Sequence, residues 1–356
     1  MGWDQDPQVL SPVGRPISEQ LETGPPRQKL EGFEPVYRDI VDYIVRCTHR
    51  IWEEKNIGLC RTHYSDDCVM HTLAGPSTGA EIVTQNTVGA LSSYADRIVL
   101  AEDIIWSEDA PGEFYSSHRI TSRATHFGDE PIVGSATMRS AGVSTIADCK
   151  VVANKIVEEW LVRDNSTALW QIGAEPRCIA MQLAEADRES DPERHRWRTD
   201  AIAATRDGDH VEIPDNHPAA PLAEMLDLGF SKDLYGEAAA MLSPAVEVRW
   251  PSRRHGFGRG FWIGCLMQLS NALHDRAFRC EHIAARPLPY GDIAVALRWS
   301  LAGSHRGAGV WGEASGKDIY LLAVSHYRLR AGLVVEEATV FDEVSVLRQI
   351  HGGLGA

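Results

Sequence analysis

The sequence predicts an α+β chain built as two tandem copies of one module. Three observations carry that prediction. In each half, helical periodicity comes first and a run of strands follows, the order of helices packed on one side of a curved antiparallel sheet. One stretch occurs twice in register. Lys155-Ile-Val-Glu-Glu-Trp-Leu-Val-Arg-Asp164 returns as Leu333-Val-Val-Glu-Glu-Ala-Thr-Val-Phe-Asp342, and Glu158, Asp164 and Gln171 match Glu336, Asp342 and Gln349, each 178 positions on. The length, 356 residues, fits two domains at roughly 100–200 residues each.

Residues 1–34 are rich in Pro, Gly, Gln and Glu without a sustained period, which predicts a mobile arm. From Pro35, the spacing of Val36, Ile40, Tyr43, Ile44, Cys47, Ile51 and Trp52 predicts an amphipathic helix. A short helix over Leu59–Tyr64, a strand over Cys68–Leu73 ended by Gly75-Pro76, and a helix over Gly79–Leu91 follow. Strands are expected near Ala95–Ser107, Glu113–His126, Gly134–Lys150 and Lys155–Val162. The first domain therefore spans 35–174.

Residues 175–221 break the pattern. Dense mixed charge over Glu189–Asp200 and the turn chemistry of Pro214–Pro221 read as a connector, with a short helix near Ile179–Ala186. The second domain, 222–352, then replays the first. Its strand Val246–Pro251 and helix Phe261–Leu273 answer Cys68–Leu73 and Glu81–Leu91. Asp96-Arg97 pairs with Asp275-Arg276 and His126 with His305, now 179 positions apart. A repeat of this length must be read before anything else, because missing it mis-assigns the fold.

Composition narrows the function. A net charge of −15 argues against nucleic acid as partner, since phosphate binding needs clustered Lys and Arg. No run approaches the roughly 18 apolar residues of a membrane-spanning helix, and the acidic N-terminus lacks the order of a secretory signal. Seven scattered cysteines without C-x-x-C fit a reducing cytoplasm. No phosphate loop, dinucleotide fingerprint, nucleophile elbow or zinc spacing is present.

The stretch Asn154-Lys-Ile-Val-Glu-Glu-Trp160, with Asp164 and Leu169-Trp-Gln-Ile-Gly173, resembles the C-terminal signature of the SnoaL-like polyketide cyclases (ester cyclases) of the NTF2-like superfamily. The second copy is similar but looser, with Ala338 for Trp160 and His351 for Gly173. The resemblance covers about three quarters of the chain. It implies two cone-shaped domains, each a curved antiparallel sheet wrapped around N-terminal helices and open at one end as an apolar pocket. It implies a small carbonyl-containing substrate, no metal or organic cofactor, and one pocket carboxylate as acid/base. Such domains commonly dimerise through the sheet, so the pair is expected as an internal pseudo-dimer or within a homodimer.

The matching carboxylates are Asp164 and Asp342. A carboxylate on an apolar wall loses solvation, which raises its pKa toward the range useful for proton abstraction. The same aspartate before a short helix also suits an N-cap, so both roles stay open. Asp148 and His326, each sixteen residues earlier, are expected within reach as partners, and His71 is a candidate from the early strand. Trp160, His118, Trp106 and Trp299 are expected to line pockets. The expected activity is cofactor-independent proton transfer: aldol cyclisation, isomerisation or dehydration (a lyase step). The alternative is a small-molecule-binding protein without turnover.

Overall fold

The computed structural model describes residues 15–130, 132–190 and 192–352. It is an α+β chain with two six-stranded sheets. The chain forms two units, one of Met1–Thr72, Pro76–Arg163 and Ala168–Gly173, the other of Leu73–Gly75, Asp164–Thr167 and Ala174–Ala356.

The first unit begins with helices α1 (Ile17–Gln20), α2 (Ile40–Trp52) and α3 (Leu59–His63). Asp39 caps α2 by accepting the Asp42 N–H at 2.7 Å. The expected mobile arm is packed over its described part. Ile17, Leu21, Leu30 and Phe33 lie against the core, and the Phe33 ring meets Tyr43 edge-on at 5.1 Å. Strands β1 (Tyr64–His71) and β2 (Ser77–Thr78), helix α4 (Ala80–Ser93), and strands β3 (Ile98–Ala110), β4 (Glu113–Thr125), β5 (Ser140–Val152) and β6 (Lys155–Arg163) complete it. The third long strand starts six residues later than expected, because a turn bridged at Glu130 and Gly134 precedes it.

Sheet order is β2-β1-β6-β5-β4-β3. Only β1 and β6 run parallel. Ala153 and Asn154 join β5 to β6 with φ of 45° and 70°, the left-handed pair that a two-residue hairpin turn requires. Helix α2 packs on one face of the sheet, where Ile104, Trp106, Phe114, Ala147, Cys149 and Ile156 form the core with Tyr43 and Ile44.

One irregularity decides which side chains reach that face. Val151 pairs with Ile156 but Lys150 pairs with Glu158, so Val157 is an extra residue in β6. Beyond it the faces exchange. Glu159, Leu161 and Arg163 join Ile156 on the core face, while Glu158 and Trp160 take the other.

Helix α5 (Asn165–Ile172) follows, then α6 (Pro176–Ser190) and α7 (Pro192–Asp207). The connector is thus largely helical rather than linker. Its charge density masks a helix that few contacts suffice to seat. Thr205 Oγ1 donates to Ser300 Oγ at 3.0 Å, and Trp197 meets Tyr320 edge-on.

The second unit continues with α8 (Ala220–Phe230), α9 (Tyr235–Ala238), β7 (Leu242–Trp250), β8 (Arg254–Phe257), α10 (Arg259–Ala272), β9 (Leu273–Pro287), β10 (Ile293–His305), β11 (Asp318–Arg330), β12 (Leu333–Val340) and α11 (Glu343–His351). Its sheet order, β8-β7-β12-β11-β10-β9, repeats the first strand for strand. Val335 is extra in β12 as Val157 is in β6, and Ala331 and Gly332 turn its hairpin with positive φ. Among the described residues no helix is long and apolar enough to cross a membrane.

Candidate acid/base site

On the core face of the first sheet, cross-strand pairing sets side chains in rows. One row runs Met70, Glu159, Cys149, Ser116, Trp106. The next runs Leu161, Ala147, His118, Ile104. Three polar groups therefore stand in an otherwise apolar surface.

Glu159 is buried, and loss of solvation pushes its carboxyl up to about 7, against partial relief from Arg163 and a hydrogen bond from Tyr64. A carboxyl there is divided between its acid and its base near neutrality. His118 is also buried. Desolvation brings its imidazole down to about 3, so it is neutral at neutral pH, with Asp103 opposing the shift. His118 Nε2 and Ser116 Oγ are buried with no hydrogen-bond partner. Buried polar atoms are normally paired, and each exception calls for an explanation.

The second unit holds the equivalent acid in different company. Glu337 is fully buried and its carboxyl is likewise pushed up to about 7 by desolvation. Here Trp250 Nε1 donates to its Oε1 at 2.8 Å and Thr339 Oγ1 at 2.7 Å. The positions of Ser116 and His118 are taken by Val295 and Leu297. Trp262, Trp299 and Phe230 are fully buried around the same interior.

Most of the expected residues fall elsewhere. Asp164 accepts the Thr167 N–H at 3.1 Å, capping α5, and the Ser252 N–H at 3.1 and 3.2 Å on its two oxygens. Asp342 caps α11 through the Val344 N–H, and accepts from Ser345 Oγ at 2.6 Å and Asn165 Nδ2 at 3.0 Å. Both carboxyls are raised by desolvation, and these donors pull them back. Of the two roles left open by the sequence, the cap is the one with visible partners.

The expected pairing of Asp148 with Asp164 and of His326 with Asp342 does not form. The tight hairpin sets Asp148 opposite Trp160 and His326 opposite Ala338. Each lies four residues short of its aspartate, about 13 Å along the strand. Asp148 is buried on the face away from α2, accepting from Tyr115 and from Ser117 Oγ at 2.5 Å. His71 stacks on Trp160 at 5.1 Å and bonds Glu158 at 2.9 Å on that same face. Trp299 donates to Ser325 at 2.9 Å in the second core. His118 and Trp106 are the two expected pocket residues that stand on the core face beside Glu159. Glu159 itself was missed. Its signal was the Glu-Glu pair kept in both copies, but alternation counted from Ile156 points Glu158 inward unless the extra Val157 is known.

Among the described residues no group of three His, Cys, Asp or Glu is placed to hold a metal ion. No curated protein matches the chain. Solved structures do: the chain is similar to AclR from Streptomyces galilaeus (23% identity, 38% of this chain and 83% of that one, TM-score 0.33). It is similar to IdmH from Streptomyces antibioticus (21%, 37% and 97%, TM-score 0.31). It is also similar to an NTF2-like protein from Exiguobacterium sp. 255-15 (17%, 34% and 97%, TM-score 0.28). The model of the SnoaL-like polyketide cyclase family matches residues 224–350, the copy with the looser closing signature. By that match the second half of the chain carries a domain of the SnoaL-like polyketide cyclase family, and the first half repeats its strand order element for element.

Proposed function

We propose that the first unit catalyses proton transfer beside the carbonyl of a small molecule, with Glu159 as the acid/base, in an aldol cyclisation, isomerisation or dehydration. The observation that carries this reading is the company Glu159 keeps: one carboxyl on an apolar face with His118 Nε2 and Ser116 Oγ, both buried and unpartnered, one row away or in line. The ionised carboxyl takes the proton from the carbon next to the carbonyl, and the electron pair moves to the carbonyl oxygen as an enolate. A neutral imidazole N–H or the Ser116 hydroxyl donates to that oxygen, as neutral histidine does in other isomerases. The resulting acid returns the proton to carbon or to a departing hydroxyl. No step calls on a cofactor. The second unit, whose acid accepts from Trp250 and Thr339 on one oxygen and which has Val295 and Leu297 in place of Ser116 and His118, is read as a non-catalytic partner copy.

The test needs no natural substrate. Exchange of the α-protons of 1-tetralone in D2O, followed by NMR, should be accelerated by the protein. Glu159→Gln should reduce the acceleration about 10²–10⁴-fold, and Asp164→Asn should retain it. The reverse pattern would return the acid/base role to Asp164. Binding of the ketone with no acceleration in the unaltered protein would favour a ligand-holding protein instead.

A further inference from the structure

The two copies treat one arginine in opposite ways. In the second unit Arg276 is fully occupied. Its Nε donates to the Phe230 carbonyl at 2.8 Å, its Nη1 to the Ser270 and Leu273 carbonyls at 3.0 and 2.7 Å, and its Nη2 to Asp233. In the first unit the repeat equivalents of Phe230 and Asp233, 178 positions earlier, are Trp52 and Lys55. The acid has become a base. Lys55 Nζ takes the Trp52 carbonyl at 2.5 Å, the bond that Arg276 makes in the other copy. Arg97, the equivalent of Arg276, keeps its Nε buried without a partner.

The guanidinium of Arg97 sits over the Trp52 ring at 4.9 Å and the Tyr94 ring at 5.8 Å. Arg163 is near enough to repel it, and with desolvation, the larger cause, brings Arg97 down to about 10. Arg163 also acts on Glu159, two rows along the same face. In the second copy Arg163 is replaced by Phe341, fully buried. Nearby acids are already engaged. Glu53 accepts the Val99 N–H at 2.9 Å, Asp96 the Thr125 N–H at 2.7 Å, and Glu130 the Tyr94 hydroxyl. A chain with net charge −15 thus gathers Lys55, Arg97 and Arg163 at one end of the surface that carries its candidate acid.

We propose that Arg97, with Arg163 and Lys55, binds a carboxylate on the substrate of the first unit, so that the substrate class is a ring-bearing carbonyl compound with an acidic group. This rests on the reading of Glu159 as the working acid. A planar guanidinium backed by aromatic rings presents its donors edge-on, the geometry that suits a carboxylate. Trp52 and Tyr94 supply apolar surface for the ring that follows it.

The probe is 2-naphthoate, titrated by calorimetry, with its methyl ester and inorganic sulfate as controls. Saturable binding of naphthoate is expected, at least about tenfold tighter than the ester, with sulfate competing only weakly. Lys55→Asp, which recreates the partner of the second copy, should pair Arg97 and weaken naphthoate at least about tenfold without changing the ester. Arg97→Gln should do the same, and Arg97→Lys should recover part of the loss. Equal binding of acid and ester, sulfate competing as well as naphthoate, or unchanged naphthoate binding in both Lys55→Asp and Arg97→Gln would overturn the proposal. Glu159→Gln should keep the preference for naphthoate over its methyl ester. Loss of ketone exchange with intact naphthoate selectivity separates the two readings.

Discussion

Replacing Glu337 with Gln should make the protein more stable in alkali and leave it nearly unchanged in mild acid. The carboxyl titrates near 4.5 when unfolded and at about 7 when folded, through desolvation. Below about pH 4.5 both states hold the proton and nothing depends on pH. From 4.5 to 7 the unfolded chain releases a proton the folded chain keeps, so stability falls as pH rises, by about 1.4 kcal/mol per unit. Above 7 the loss levels off at about 3 kcal/mol. Between pH 5 and pH 8 the difference is about 2.5 kcal/mol. Gln accepts from Trp250 and Thr339 as the protonated acid does, and it cannot ionise. Thermal unfolding at pH 5 and pH 8 measures the effect. Roughly 2–4 °C per kcal/mol gives the variant a gain of about 5–10 °C at pH 8 and little at pH 5. Curves for the two proteins that stay parallel across this range would refute the argument, for they would mean that the buried acid finds solvation or a counter-charge when it ionises.

Three further outcomes follow from the same geometry. His118→Leu, which installs the residue of the second copy, should hold or raise the melting temperature by removing an unpaired buried nitrogen, while ketone exchange measured by NMR falls about 10–100-fold. Asp342→Ala should cost about 2 kcal/mol in urea unfolding, since it strands the Val344 N–H, Ser345 hydroxyl and Asn165 amide. Its exchange rate should match that of the unaltered protein. Trp250→Phe removes a donor to Glu337, so it should steepen the loss of stability between pH 5 and pH 8 rather than flatten it.

Much of the architecture was written locally. The period of α2, the strand run and the register of the repeat all come from short-range pattern, and they place every long strand of both sheets. The candidate site was harder because it depends on one inserted residue. Asp164 and Asp342 sit where a pocket acid would be sought, yet each precedes a helix whose first N–H groups need an acceptor, and the closer demand is the one met. Glu159 looked like surface charge beside Glu158 until the extra Val157 turned it inward. Of the connector's two helices only the stretch Ile179–Ala186 was expected, because the dense mixed charge of Glu189–Asp200 hides the second.

The insertion at Val157 and its twin at Val335 also bear on how this module can change. Deleting Val157 would close the bulge and set Glu158 directly after Ile156, so plain alternation would keep Glu158 and Trp160 facing away from α2 and Glu159, Leu161 and Arg163 facing it. The strand can therefore lose that residue without changing which of two adjacent acids the interior receives; what it would lose is the local bend and twist that a bulge imposes. Both halves carry the insertion at the same place in the strand, and in both the second glutamate of the pair is the one that faces the interior.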